Sequence, residues 1–285
     1  MSQKNLSTRS LLELIDLFER SIHAVADGGG QRLHGMPGWE LSRRAALSKR
    51  DLAAWTERIG FAGTYLAASG DECVPVDIEE DDDPGRYRYR CPETFRTKYV
   101  SADLVAVHAV DAVKLLTYLA DLLGVPQAQR SGIAAPTIDG VLWRIGKMRV
   151  ADTQVDAWLV RGLASSTDTV FQHFRTAPLP DQGLIFTTGQ SLPDIVAPPR
   201  AYRIVPIASA LVDHALKPHF DIDLIHRLLL APSGSKLERS LPVRFNRYTK
   251  TLVIATKSNK PWVIKGDTQV AVVSHLFEQF ENGRR

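Results

Sequence analysis

The chain has 285 residues, 44% of them apolar and 24% charged, with a mean hydropathy of −0.12. These proportions exclude a disordered, collagen-like or low-complexity protein and are enough for a real core. The net charge of +3 hides a split: residues 236–285 hold ten basic against four acidic side chains, so the rest of the chain is negative by three.

No run reaches the roughly 18–20 apolar residues of a spanning helix. The most apolar stretch, 103–123, carries Asp103, His108, Asp111, Lys114 and Asp121. The opening MSQKNLSTRS lacks the apolar core of a secretion signal. Two cysteines, Cys73 and Cys91, make neither a disulfide framework nor a four-cysteine zinc site and fit a reducing cytoplasm. The expected protein is cytoplasmic and not bound to a membrane.

In chain order, residues 6–26 place Leu11, Leu14, Ile15, Phe18, Ile22 and Val25 at helical spacing, which predicts an amphipathic helix stopped by Asp27 and the glycines 28–30. Ser48 with Asp51 forms a capping box ahead of Leu52, Trp55 and Ile59, with Gly60 as the stop. Residues 1–70 therefore read as a helical region of about three short helices. A small packing domain or a helix-turn-helix, with Arg43, Arg44, Lys49 and Arg50 near its second helix, fits that pattern.

Residues 71–83 hold eight acids and no base. A block of like charge repels itself, and Pro84-Gly85 follows as a turn signal, so 71–85 is expected to be an acidic loop, linker or long exposed hairpin. Residues 86–90, RYRYR, alternate as a strand with tyrosines on one face and arginines on the other. That face could stack a nucleic-acid strand or pack its tyrosines inward. The segment 102–123, apolar on most sides and ended by Gly124 and Pro126, predicts a central buried helix.

Strands are expected at 138–150, 157–161, 183–188 and 202–207, with a helix at 167–174 between the second and third, and further helices near 208–216 and 221–230. Residues 86–230 thus read as a mixed core of α/β or α+β class. Residues 231–242, APSGSKLERSLP, form a second candidate linker. Beyond it, 243–255 and 261–264 predict a β hairpin around the polar turn 256–260, and Asp267 caps a helix over 268–281 with Val270, Val273, Phe277 and Phe280 on one stripe, before Gly283.

The residues RFNRYTKTLVIATKSNKPWVIKGDTQVAVVSHLFEQFENGRR, 244–285, resemble the opening of the winged-helix DNA-binding domain of response-regulator-type transcription factors: a hairpin, a helix, then Gly-basic. The resemblance implies DNA as partner. In that family the helix that enters the major groove comes after one more helix, beyond Arg285, so what this segment is expected to supply is phosphate contact. The candidate contact residues are Arg244, Arg247, Lys250, Lys257, Lys260 and Lys265, with Arg244 and Lys250 on one face of a strand by parity and Arg247 on the other.

Catalytic signatures are absent from the sequence. The nearest phosphate loop, Gly140 to Gly146-Lys147-Met148, has the wrong spacing and lacks the hydroxyl, and no G-x-S-x-G, H-E-x-x-H or G-x-G-x-x-G occurs. His214, His219, Asp221, Asp223 and His226 form the one imidazole–carboxylate cluster, whose chemistry suits a metal but whose spacing equally suits a helix cap. Cys91 would be a nucleophile only beside a base. The function expected is a non-enzymatic DNA-associated protein, a regulator or accessory factor, without cofactor or committed metal site. The alternatives are a scaffold binding a protein partner or forming a homodimer, and a metal-dependent hydrolase or nuclease.

Overall fold

The chain divides into two units, Met1–Ser235 and Lys236–Arg285. The computed structural model describes residues 6–43, 47–130, 132–150, 153–190, 192–193, 196–214, 217–231, 243–246, 250–254 and 258–281.

The first unit opens with α1 (Thr8–Arg20), capped by the Ser7 hydroxyl, which accepts from the Ser10 N–H at 3.1 Å. Its buried face is Leu11, Leu14, Ile15, Leu17 and Phe18. The helix stops earlier than its apolar spacing suggests, because β1 (Ala24–Ala26) and β2 (Arg32–His34) pair as a hairpin around the glycines. Asp27 closes that loop by accepting from the N–H groups of Gly29 and Gln31. Strand β3 (Met36–Pro37), the single turn α2 (Gly38–Leu41) and α3 (Lys49–Trp55) follow, and the Ser48–Asp51 box caps α3 as expected.

Among the described residues up to 70, three helices are present, with β1 to β3 between the first and second. The helix predicted to reach Gly60 ends at Trp55, and β4 (Thr56–Phe61) and β5 (Thr64–Ser69) continue. Thr56 turns its hydroxyl back onto the Leu52 carbonyl, and its own backbone is already extended.

Residues 56–110 are mostly antiparallel strand, shared between two sheets. After β4 and β5 come β6 (Glu72–Glu80), β7 (Arg86–Arg90), β8 (Thr97–Ser101), the turn α4 (Ala102–Val105) and β9 (Ala106–Val110). Strands β5 to β8 pair in succession, and β9 lies between β3 and β4. Between β4 and β5, a Cβ on Gly63 would lie 2.6 Å from the Asp27 carbonyl, so only glycine lets the chain bend there against the β1–β2 loop.

Two expectations are corrected here. Most of the acidic block is β6, one arm of a hairpin with β7, so of the expected alternatives the exposed hairpin is present and the linker is not; Glu79 pairs with Arg88, and Asp81 and Asp83 with Arg86, which offsets part of the block's charge. The segment 102–123 is not one helix, since α4, β9 and α5 (Ala112–Leu122) divide it. Strand β9 is central in its sheet and buries Ala106, Val107 and Val110, so its short apolar run has the composition of a buried helix segment. Asp111 then caps α5 through the Lys114 N–H.

The rest of the unit is a mixed sheet of β10 (Leu142–Val150), β11 (Thr153–Val160), β12 (Gln182–Thr187) and β13 (Ala201–Pro206), in that order. The first pair is antiparallel; α6 (Leu163–Thr176) crosses from β11 to its parallel neighbour β12. The strand–helix–strand unit expected from the sequence is therefore present. Leu142, Trp158, Val160, Val170, Phe174, Ile185 and Tyr202 pack together between sheet and helix. Gly183 makes room for the Tyr202 ring, whose Cε1 a Cβ would meet at 2.2 Å.

The helix predicted near 208–216 is instead the turn α7 (Ile207–Ala210) and the hairpin β14 (Leu211–His214) with β15 (Lys217–Phe220). Pro218, which removes a helix hydrogen bond, sits in that hairpin opposite Asp213. Helix α8 (Ile222–Leu230) follows as expected, capped by Asp221.

The second unit is an antiparallel sheet of β16 (Val243–Asn246), β17 (Thr251–Ile254) and β18 (Ser258–Val263), followed by α9 (Asp267–Glu281). The long strand expected over 243–255 is divided in two. Lys250, at a φ of 53°, makes the left-handed turn into β17. The whole chain is thus a mixed α/β protein with an N-terminal helix, a β/α core and hairpins leading into helices towards its C-terminus.

Candidate functional site

The division of the predicted strand rearranges the predicted phosphate contacts. Arg244 lies on β16 opposite Val253 of β17, while Lys250 belongs to the turn before β17. The parity argument for a shared face therefore fails, because it needed one continuous strand. The Lys250 carbonyl accepts from the Ile264 N–H at 2.8 Å, which brings Lys250 to the same end of the sheet as the exposed Lys265. Lys260 is in β18, and Arg247 and Lys257 lie outside the described residues. The structure thus brings Lys250 and Lys265 together beside the start of α9, whose Val270 N–H bonds to Gly266.

The RYRYR strand takes the inward-packing arrangement. Tyr87 and Tyr89 pack with Ile78, Val100 and Val105, and the arginines face out. Arg86 lies 4.2 Å from the ring centre of the exposed Tyr99, and Arg90 5.6 Å from that of Phe95. With Glu79, Asp81 and Asp83 paired to the same arginines, this face carries both signs of charge and offers a phosphate backbone little net attraction.

The described side chains of the imidazole–carboxylate cluster do not converge, and that of His214 lies outside them. Asp221 is the cap of α8, His219 is exposed on β15 with Nδ1 near the Lys217 carbonyl at 3.3 Å, and His226 is a turn along α8. Among the described residues no three His, Cys, Asp or Glu side chains are gathered as a metal centre.

Three groupings had no strong signal in the sequence. At the carboxyl ends of β11 and β12, Glu19 of α1 accepts from the Gly162 N–H at 2.8 Å and from the Thr188 hydroxyl. A carboxylate thereby occupies the positive N-terminus of α6, where such strand ends commonly hold anions. Arg161 lies beside it, its guanidinium donating to the Gly140 carbonyl and the Ser21 hydroxyl and stacked over Phe18 at 4.8 Å. Burial lowers the Arg161 pKa, and Glu19 and Asp139 oppose that shift. The only hint in the sequence was a glycine between a strand and a helix.

Beneath α6, Asp156 is buried and paired with Arg144 at 2.6 Å. On the same sheet, Trp158 packs against His173 and Phe174, and Phe174 against Tyr202. The Trp158 N–H comes near the Tyr202 hydroxyl, yet neither these atoms nor His173 Nε2 complete an aligned hydrogen bond. Burial alone lowers the His173 pKa.

Cys91 closes the β7–β8 turn. Its thiol is lowered to about 7 by the Thr94 hydroxyl, then by backbone N–H groups of Thr94 and Glu93 and by Lys98. It is only 1% exposed. These groups stabilise the thiolate directly, in place of the base expected beside it, while burial keeps the sulfur from solvent.

No family model, no curated protein and no solved structure matches the chain. Among the described residues, no helix is long and apolar enough to cross a membrane.

Proposed function

We propose that the chain is a DNA-associated protein, a regulator or accessory factor, that holds the phosphate backbone through its basic second unit. One observation carries this reading: the surplus of six positive charges falls within the bounds of a single compact unit, Lys236–Arg285. Charge concentrated on one small unit raises the local potential far more than the net +3 of the whole chain does, and phosphate binding needs charge density rather than a particular recognition helix. Lys250 and Lys265, held at one end of the sheet, supply a fixed part of it. The free thiols Cys73 and Cys91 suit a reducing compartment, the cytoplasm.

The test is fluorescence anisotropy of a labelled duplex titrated with the full chain across a salt series. Six phosphate contacts release counterions with a log–log salt slope of about −5. Replacing Lys250 and Lys265 together by Gln flattens that slope by roughly two. Absence of binding even at low salt overturns the proposal.

A further inference from the structure

The second unit carries an apolar groove. Leu252 of β17, Trp262 of β18 and Ile264 contribute one side, and Val272 and Val273 of α9 the other, around about 390 Å3. Pockets that take ligands or side-chain anchors run from about 300 to 1,000 Å3. Trp262 is 53% exposed and Val272 54%, and Leu276, one turn further along α9, continues the apolar surface at 62%. An open trough with an aromatic residue on one side and helical valines on the other is shaped to take the apolar stripe of another helix.

The charge around the groove selects the occupant. Lys265 is exposed directly after Ile264, and Lys250 is tied to Ile264 by its backbone hydrogen bond. Both belong to a unit with ten bases and four acids. A second copy of the chain would bring the same positive charge to the same face, and like charges across a contact oppose association. An acidic segment gains from both the apolar floor and the basic rim.

The geometry points to a docking groove for an amphipathic helical segment of a partner protein, apolar on one face and rich in Asp and Glu beside it. This goes beyond phosphate binding, which uses the charge of the unit and leaves its apolar surface unused. Leucines of the segment enter the groove near Trp262 and Val272, and its carboxylates meet Lys265 and Lys250.

The test uses the full chain and a labelled helical peptide of about four turns, with leucines at i, i+3, i+4 and i+7 and glutamates between them. Its anisotropy is expected to rise to saturation. Val272→Glu, which places a carboxylate in the groove at a half-exposed position, weakens binding at least about tenfold while far-UV circular dichroism and the thermal melt stay as in the parent. Should Val272→Glu fail to fold, Trp262→Ser serves in its place with the same expectation. A peptide with lysines replacing the glutamates also binds at least about tenfold more weakly. Equal binding by parent and folded variant, or by the two peptides, overturns the proposal. So does sedimentation that shows a dimer of the chain abolished by Val272→Glu, because the groove then belongs to a second copy.

Discussion

Cys91 shows how a few neighbours set the chemistry of one side chain. The Thr94 hydroxyl and the N–H groups of its own turn stabilise the thiolate, and Lys98 adds a positive charge. The folded thiol therefore loses its proton near pH 7, whereas the unfolded one keeps it to about pH 9. Between those values the unfolded chain binds more protons, so stability rises with pH and is lost as pH falls through 7. Urea denaturation at pH 7 and pH 9 is expected to show that rise, and Cys91→Ser to remove it. His173 works in the opposite chemical sense with the same outcome. Burial against Trp158 and Phe174 lowers the pKa of its imidazole in the fold, while the unfolded imidazole takes up a proton below about pH 6.5. Stability is therefore present above that value and falls as the solution is acidified through it. Replacing His173 by Leu should make the urea midpoint less sensitive to acidification from pH 7 to pH 5, and an unchanged pH dependence would assign the acid sensitivity elsewhere, to His108, whose pKa burial also lowers.

At the scale of elements, Glu19 joins α1 to the start of α6 across 143 residues of sequence. Its carboxylate satisfies the Gly162 N–H and the Thr188 hydroxyl and lies at the positive end of the helix. Glu19→Ala removes both acceptor contacts, and the expected cost is about 1–3 kcal/mol in chemical denaturation. Gly183 makes the complementary point about close approach. Alanine there drives a methyl group into the Tyr202 ring, and overpacking of that kind costs about 1–3 kcal/mol or more. Thermal melts of Gly183→Ala measure it. The two elements that depart most from expectation, β6 and β9, take their conformation from partners outside their own segments. The acids of β6 and its turn meet arginines brought alongside by β7, and β9 is a strand because β3 and β4 supply hydrogen-bond partners on its two edges. Pairing across a sheet is a long-range property, and periodicity within a segment does not contain it.

At the scale of the whole molecule, the charge split and the architectural split coincide, and that coincidence bears on how DNA would be held. Contacts made by lysines to phosphates carry no sequence information. Neutralising Lys257 and Lys260 is expected to weaken binding by the same factor for an A·T-rich and a G·C-rich duplex in parallel anisotropy titrations. A factor that depends on sequence would mean that base edges are read. The apolar groove on the same unit is a separate resource, filled by packing and not by charge, which is why the peptide and the duplex titrations report on different surfaces.

Much of this could be seen in the chain itself. Composition and charge placed a globular protein with a basic C-terminal portion; helical spacing and the caps at Ser48 and Asp221 were local signals, because a cap bonds within three residues of itself. The strand–helix–strand core was legible for the same reason: each of its segments is long and regular in its own period. Tertiary structure alone decided that the acidic block is a strand, that 106–110 pairs between two others, that Lys250 and Arg244 stand on different elements, and that Glu19 reaches the start of α6. Each of those depends on a partner distant in sequence, and the energy that selects it comes from pairing and burial between segments, which no single segment encodes.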